Sequence, residues 1–318
     1  MLRVVAVGLA LFLLVPPAHG AERVRIAVTN YNMSFLGAGV ATQRGFFKQE
    51  GLEAEIIRMN ANVAVAALAS GDIGYTMIFG SLVRAALRGL PVRVNASFID
   101  GSTHALIARP EFLSVKDLKG RTLGIQAHGA SDHLAALMML RHHGINPEKE
   151  IKTVALGPAS ARFAALKEGV VDAAIISPPG DAEGAKMGFK VLSRAYEVFK
   201  FPFVGMGTHV RNLQERPEEV KKVLKAMINA NRYIRENREG TVKTLIQWGR
   251  VDPAHAYASY DSTVKAFNTD GSIPENGLRQ VIAQAQKELG ISRQVSLDDV
   301  WDLAPLREAH KELGIKSK

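Results

Sequence analysis

Cysteine is absent from the 318 residues. That excludes disulfides, thiolate zinc sites, cysteine-ligated iron–sulfur clusters and cysteine nucleophiles together. It also excludes a lipoprotein anchor, which is carried on a cysteine at the cleavage site. No block of about five or six like charges occurs. No zinc-finger, helix-turn-helix or aromatic–basic RNA motif accompanies the scattered Lys and Arg, so nucleic acid is not an expected partner. Aromatics are only 7% of the chain, with 28 Gly and 13 Pro, which does not point to a disordered or collagen-like polymer. Present instead is an ordinary globular composition, 47% hydrophobic and 22% charged, long enough for one large or two medium domains. The net charge of +9 reads as a solvated basic surface or, alternatively, as a field that draws anionic ligands or a membrane surface.

The one marked apolar run lies at the start. Arg3 precedes an apolar core over 4–15, Pro16 and Pro17 end it, and Ala18-His19-Gly20 offers small residues before a cut after Gly20. The run is too short to span bilayer hydrocarbon. Charged start, apolar core and cleavage pattern together are the layout of a secretory signal. Residues 1–20 are therefore expected to be removed and the protein exported, into the periplasm if the source is bacterial.

Short apolar strands then alternate with helices closed by glycine, the pattern of a mostly parallel α/β sheet. Strands are expected at 24–29, 52–58, 73–78, 92–99 and 104–108. Ser34 is placed to cap a first helix running to about residue 48. Gly37-Ala38-Gly39 lies inside that helix and lacks the third glycine of a dinucleotide loop. The pattern restarts with strands at 122–125, 151–155 and 172–176, and Ser131 or Asp132 can cap a helix reaching residue 143. Ala66-Ala67-Leu68-Ala69-Ser70-Gly71 returns 98 residues later as Ala164-Ala165-Leu166-Lys167-Glu168-Gly169, and Ile26 and Leu123 are 97 apart. A duplicated α/β lobe fits so long a period. After about residue 208 the chain turns helical. Pro217 opens a helix that aligns Val220, Val223, Leu224, Met227, Ile228 and Ile234 on one face. Further helices are expected near Pro274 and from Ser296, the last interrupted by Pro305. These C-terminal helices read as packing elements without chemistry.

Catalytic constellations are poor. Ser131, Asp132 and His133 are chain neighbours whose side chains point apart on one helical turn. His142 and His143 stand side by side, and His128 with His133 lacks a third ligand. No metal and no cofactor is expected. The loops after the strands say more, because ligands of open α/β sheets bind beyond the strand carboxyl ends. In the first half they carry Asn30, Tyr31, Asn32 and Ser34, then Asn60 and Asn62, then Phe79, Gly80 and Ser81. In the second half they carry His128, Gly129 and Ser131, then Ser160, then Ser177 and Pro178. Most of these offer hydrogen bonds, and Tyr31 and Phe79 offer flat walls. Each helix N-terminus behind them favours an anion by about 0.3–1 kcal/mol.

Six segments resemble the solute-binding proteins of ATP-driven importers, in the branch of nitrate-, sulfonate- and thiamine-pyrimidine-type binders. They are GFFKQEGL at 45–52, ALASGDI at 67–73, LKGRTLG at 118–124, VDAAIISPP at 171–179, KMGFKVL at 186–192 and TDGSIP at 269–274. The resemblance covers nearly the whole mature chain. It implies a two-lobed type II periplasmic-binding-protein fold, with mostly parallel sheets flanked by helices and a helical C-terminal part. Lobe one would be 21–108 plus 205–318 and lobe two 109–204, joined by a double crossover that closes like a hinge. It further implies a monomer that captures a small organic, anionic solute between the lobes, delivers it to an inner-membrane ABC permease, and catalyses nothing. Two departures stand out. Gly74 occupies a position often acidic in the family, which Asp172 fills in lobe two. The first loops hold no Arg, while Arg162 either enters the cleft or lies on the surface. The alternatives are a ligand-binding module of a sensor system and a pyrimidine-synthesis-type enzyme, whose cysteine-rich segments this chain lacks.

Overall fold

The computed structural model describes residues 21–128 and 131–316. The expected signal segment and Gly129 lie outside them. Among the described residues, ten strands form two five-stranded sheets. The strands are β1 Glu22–Val28, β2 Leu52–Arg58, β3 Tyr75–Thr76, β4 Val92–Asp100, β5 Ala105–Ala108, β6 Thr122–Ile125, β7 Lys152–Ala155, β8 Ala173–Ile176, β9 Lys190–Arg194 and β10 Pro202–His209. The first sheet runs β2-β1-β3-β10-β4 and the second β7-β6-β8-β5-β9. In the first, β1 is parallel to β2 and β3, while β10 is antiparallel to β3 and β4. In the second, β6 is parallel to β7 and β8, while β5 is antiparallel to β8 and β9. The repeat read from the sequence is therefore a repeat of topology. In each sheet the one reversed strand has just arrived from the other sheet.

That arrangement moves an expected boundary. The strand expected at the end of lobe one, β5, belongs to the second sheet. The chain crosses between Asp100 and Ala105, not at 108/109, and returns just before Pro202. The reason is pairing: β5 finds its partners in β8 and β9.

Each sheet is covered on both faces, as its alternating side chains require. On β5, Leu106 and Ala108 enter one core with Ala135, Ala136 and Met139, whereas Ala105 and Ile107 enter another with Phe163 and Leu166. The long helix Pro217–Glu236 buries its whole expected apolar face against the first sheet. Local readings differ in two places. Ser34 does not cap one long helix; the Asn32 side chain accepts from Ser34 N and opens a short 3-10 turn, and Gly45, at φ 77°, separates helices Leu36–Gln43 and Phe46–Gln49. Pro305 interrupts nothing, because the Ser296 capping box closes its own short turn and Pro305 opens the helix Ala304–Glu312. The glycines of Gly37-Ala38-Gly39 serve close helix packing: a Cβ on Gly39 would lie 2.7 Å from the Trp248 ring.

Candidate functional site

Both sheets end on one cleft. The carboxyl ends of β1, β3, β6 and β8 open onto it, and so do the amino ends of the reversed strands β5 and β10. Its volume is about 720 Å³, within the ordinary range for organic ligands. From the first sheet it is lined by Asn30, Asn32, Ser34, Phe79, Gly80 and Ser81, and from the second by Gln126, Ser177 and Pro178. Eight of the fifteen residues expected from the sequence are thus brought together: Asn30, Asn32, Ser34, Phe79, Gly80, Ser81, Ser177 and Pro178.

The others stand elsewhere. Tyr31 is no cleft wall: its ring tilts onto Trp248 at 4.8 Å and its hydroxyl donates to Ile56 O at 3.2 Å. Asn60 and Asn62 belong to the start of the helix Ala61–Ser70, and Ser160 to the helix Ala159–Lys167, all off the cleft lining. His128 packs edge-on against His133, with ring centres 5.3 Å apart. Gly129 lies outside the described residues. Ser131 opens the helix Ser131–His142, and its side chain is not among those described.

Arg162 is neither in the cleft nor on the surface. It is 3% exposed and donates to Ile175 O at 2.6 Å and to Asp132 Oδ2 at 3.2 Å. Asp132 Oδ2 also accepts from Gln126 N at 2.5 Å. The buried pair therefore fastens the ends of β6 and β8, the strands that present Gln126 and Ser177. Asp172 is structural as well: it holds Arg109 at 2.7 Å and Thr122 N at 2.9 Å.

Sequence reasoning missed three groups of lining residues. The crossings and the start of β10 supply Thr103, His104, Phe201 and Phe203. The helix Pro253–Thr263, not named from the sequence, supplies His255 and Ser259, and the helix Glu275–Leu289, expected only to pack, supplies Gln284 and Glu288. Arg84 and Arg141 reach the cleft from the helices Phe79–Leu87 and Ser131–His142. Their charge was visible in the sequence, but only the helix phase aims them inward. His104 is 6% exposed, and burial lowers its pKa to about 4, so it presents a neutral ring. Its Nδ1 lies 2.5 Å from Ser102 Oγ, and its ring meets Phe203 of β10 edge-on. The second lobe also meets the helix Pro253–Thr263: Ser262 Oγ donates to the buried Asp181 at 2.9 Å, and His255 is 3.7 Å from Glu183.

Asp100 ends β4 at the first crossing. Burial raises its carboxyl pKa to about 6, against donation from Ser97 and Asn268; Asp270 raises it further and Lys200 lowers it. The folded state thus holds this proton more tightly than the unfolded chain does. Its stabilising share is complete below about pH 4 and is lost as pH climbs through about 6. Asp100→Asn should therefore raise the melting temperature at pH 7.5 by a few degrees and leave it nearly unchanged at pH 4. Calorimetry at the two pH values checks this; an equal shift at both would place the effect outside titration.

The chain matches the family described as NMT1/THI5 like over residues 32–240. A candidate binding protein of Brucella abortus is 25% identical over 260 residues, covering 79% of each chain. The periplasmic aliphatic sulphonate binding protein SsuA from Escherichia coli superposes with a TM-score of 0.71 at 18% identity, over 89% of this chain and 93% of that one. The desulfurization enzyme DSZB has the same fold, with a TM-score of 0.62 at 14% identity over 92% of this chain and 99% of its own.

Proposed function

The chain belongs to the NMT1/THI5-like family, and from that premise we propose that it is an extracytoplasmic solute-binding protein. It captures a small organic solute in the cleft between the two sheets and hands it to an ABC permease in the inner membrane. The observation that carries this reading is the cleft itself: about 720 Å³, lined from both sheets, and bordered by the two crossings on which lobes can close. Asn30, Asn32, Ser34 and Ser81 meet polar groups from one side, Gln126 and Ser177 from the other, and Phe203 faces the apolar part. The apolar signal-like start supports export, and the E. coli sulphonate binder, a periplasmic protein, supports the same compartment. That relative's sulphonate and the basic net charge favour an anionic solute. No step of covalent chemistry is assigned, although DSZB carries an enzyme on this fold.

The test is mass spectrometry of small molecules released from the purified protein, paired with a thermal-shift screen of organic solutes. A bound solute raises the midpoint by mass action. Asn30→Ala and Ser177→Ala, one from each sheet, should each weaken binding of that solute by roughly five- to tenfold, the worth of one hydrogen bond. Absence of any stabilising solute in a folded protein overturns the reading. Turnover of the stabilising solute replaces it with the enzyme alternative.

A further inference from the structure

Besides its histidines, the cleft lining has three charged side chains: Arg84, Arg141 and Glu288. The two arginines come from different lobes. Arg84 projects from the helix Phe79–Leu87, whose Leu82 and Val83 pack in a core of the first sheet. Arg141 projects from the helix Ser131–His142, whose Met139 and Leu140 pack in a core of the second. The two lobes also approach each other at this end, because Leu134, Met138 and Arg141 of the helix Ser131–His142 and Gln280, Gln284 and Glu288 of the helix Glu275–Leu289 line the same cleft.

Each guanidinium is tethered but not saturated. Arg84 donates to Ser81 Oγ at 3.1 Å and is 3.7 Å from Glu288, and Arg141 pairs with Glu148. Both side chains stay substantially open, 41% and 53% exposed. A guanidinium has five N–H donors, so each retains donors for a ligand. Arginine forks match carboxylate, sulfonate and phosphate oxygens in pairs.

We propose that Arg84 and Arg141 form a two-lobed clamp for the anionic group of the solute, and that the anion is what makes closure favourable at this end of the cleft. This rests on the solute-binding reading above. Without an anion, closing the lobes brings two like charges together. With one, the same movement gains two charge-assisted contacts, so the ligand binds the closed form more tightly than the open one. Glu288 competes with the ligand for Arg84 and limits affinity.

The experiment screens alkyl and aryl sulfonates, carboxylates and phosphonates, each beside its uncharged amide or ester, by calorimetry on the full mature chain. Anions should bind and their uncharged partners should bind at least tenfold more weakly. Arg84→Gln and Arg141→Gln should each cost the anion about tenfold or more, with little change for any uncharged compound. Glu288→Gln should tighten anion binding several-fold, which a merely structural role for the site would not do. Uncharged compounds binding as well as anions, or anion affinity unmoved by both arginine variants, overturns the clamp and leaves the solute-binding reading standing. No binding in either arm overturns both.

Discussion

Asp132→Ala should destabilise the protein by about 3–5 kcal/mol, because it strands a buried cation. Asp132 and Arg162 are 1% and 3% exposed, and they hold one another at 3.2 Å. Burial works against the charge on Arg162, and the Asp132 carboxylate counteracts it. With the carboxylate gone, Arg162 keeps, among the described residues, only the Ile175 carbonyl, and Gln126 N loses the Asp132 acceptor. In calorimetry the midpoint should fall by roughly ten degrees. Removing both charges, as Asp132→Ala with Arg162→Met, should restore part of the loss, since a buried pair replaced whole costs less than a pair broken. A single-variant loss below about 1 kcal/mol would mean that the pair is not enclosed as described. Because Gln126 and Ser177 stand at the fastened strand ends, the single variant should also weaken solute binding.

Gly101→Val should be the second large loss, about 2–4 kcal/mol, from combined backbone strain and overpacking. Gly101 follows Asp100 in the first crossing and has φ 145°, where a side chain is strained. A Cβ there would lie 2.8 Å from Tyr196 Cβ and 2.9 Å from its Cα, on the segment leading into the second crossing. The substitution therefore wedges the two crossings apart at the place where the lobes must turn. Gly45→Ala is the control: φ is 77° but nothing lies within 4 Å of the added Cβ. It should cost only about 1 kcal/mol from the backbone. Urea titrations of both variants measure the difference; equal losses would show that contact with Tyr196 contributes nothing. Solute affinity should fall with Gly101→Val and not with Gly45→Ala.

Element type was legible wherever the cause was local. The apolar face of Pro217–Glu236 repeats at helical spacing and is buried as read. Gly71 ends its helix in the left-handed conformation that only glycine adopts at little cost. The loop residues Asn30, Ser34, Ser81 and Ser177 reach the cleft because strand carboxyl ends face one edge by topology. Tyr31 failed for a nonlocal reason: its neighbour in space, Trp248, is more than two hundred residues away in the chain. Arg162 failed similarly, since its partners, Asp132 on the helix Ser131–His142 and Ile175 on β8, hold it inside.

By itself, the sequence determined the α/β alternation, the duplicated order of elements and eight of the residues that line the cleft. These follow from periodicities of two and 3.6 residues, from glycine stops and from turn chemistry, all of which act over a few positions. The tertiary structure alone decided which sheet receives β5, where the crossings fall, and that two C-terminal helices wall the cleft. It also decided that Arg84 and Arg141 face one cavity from two lobes. Those outcomes depend on strand pairing and on which apolar faces cover which sheet. That choice is made by contacts far apart in the chain, and no local window carries it.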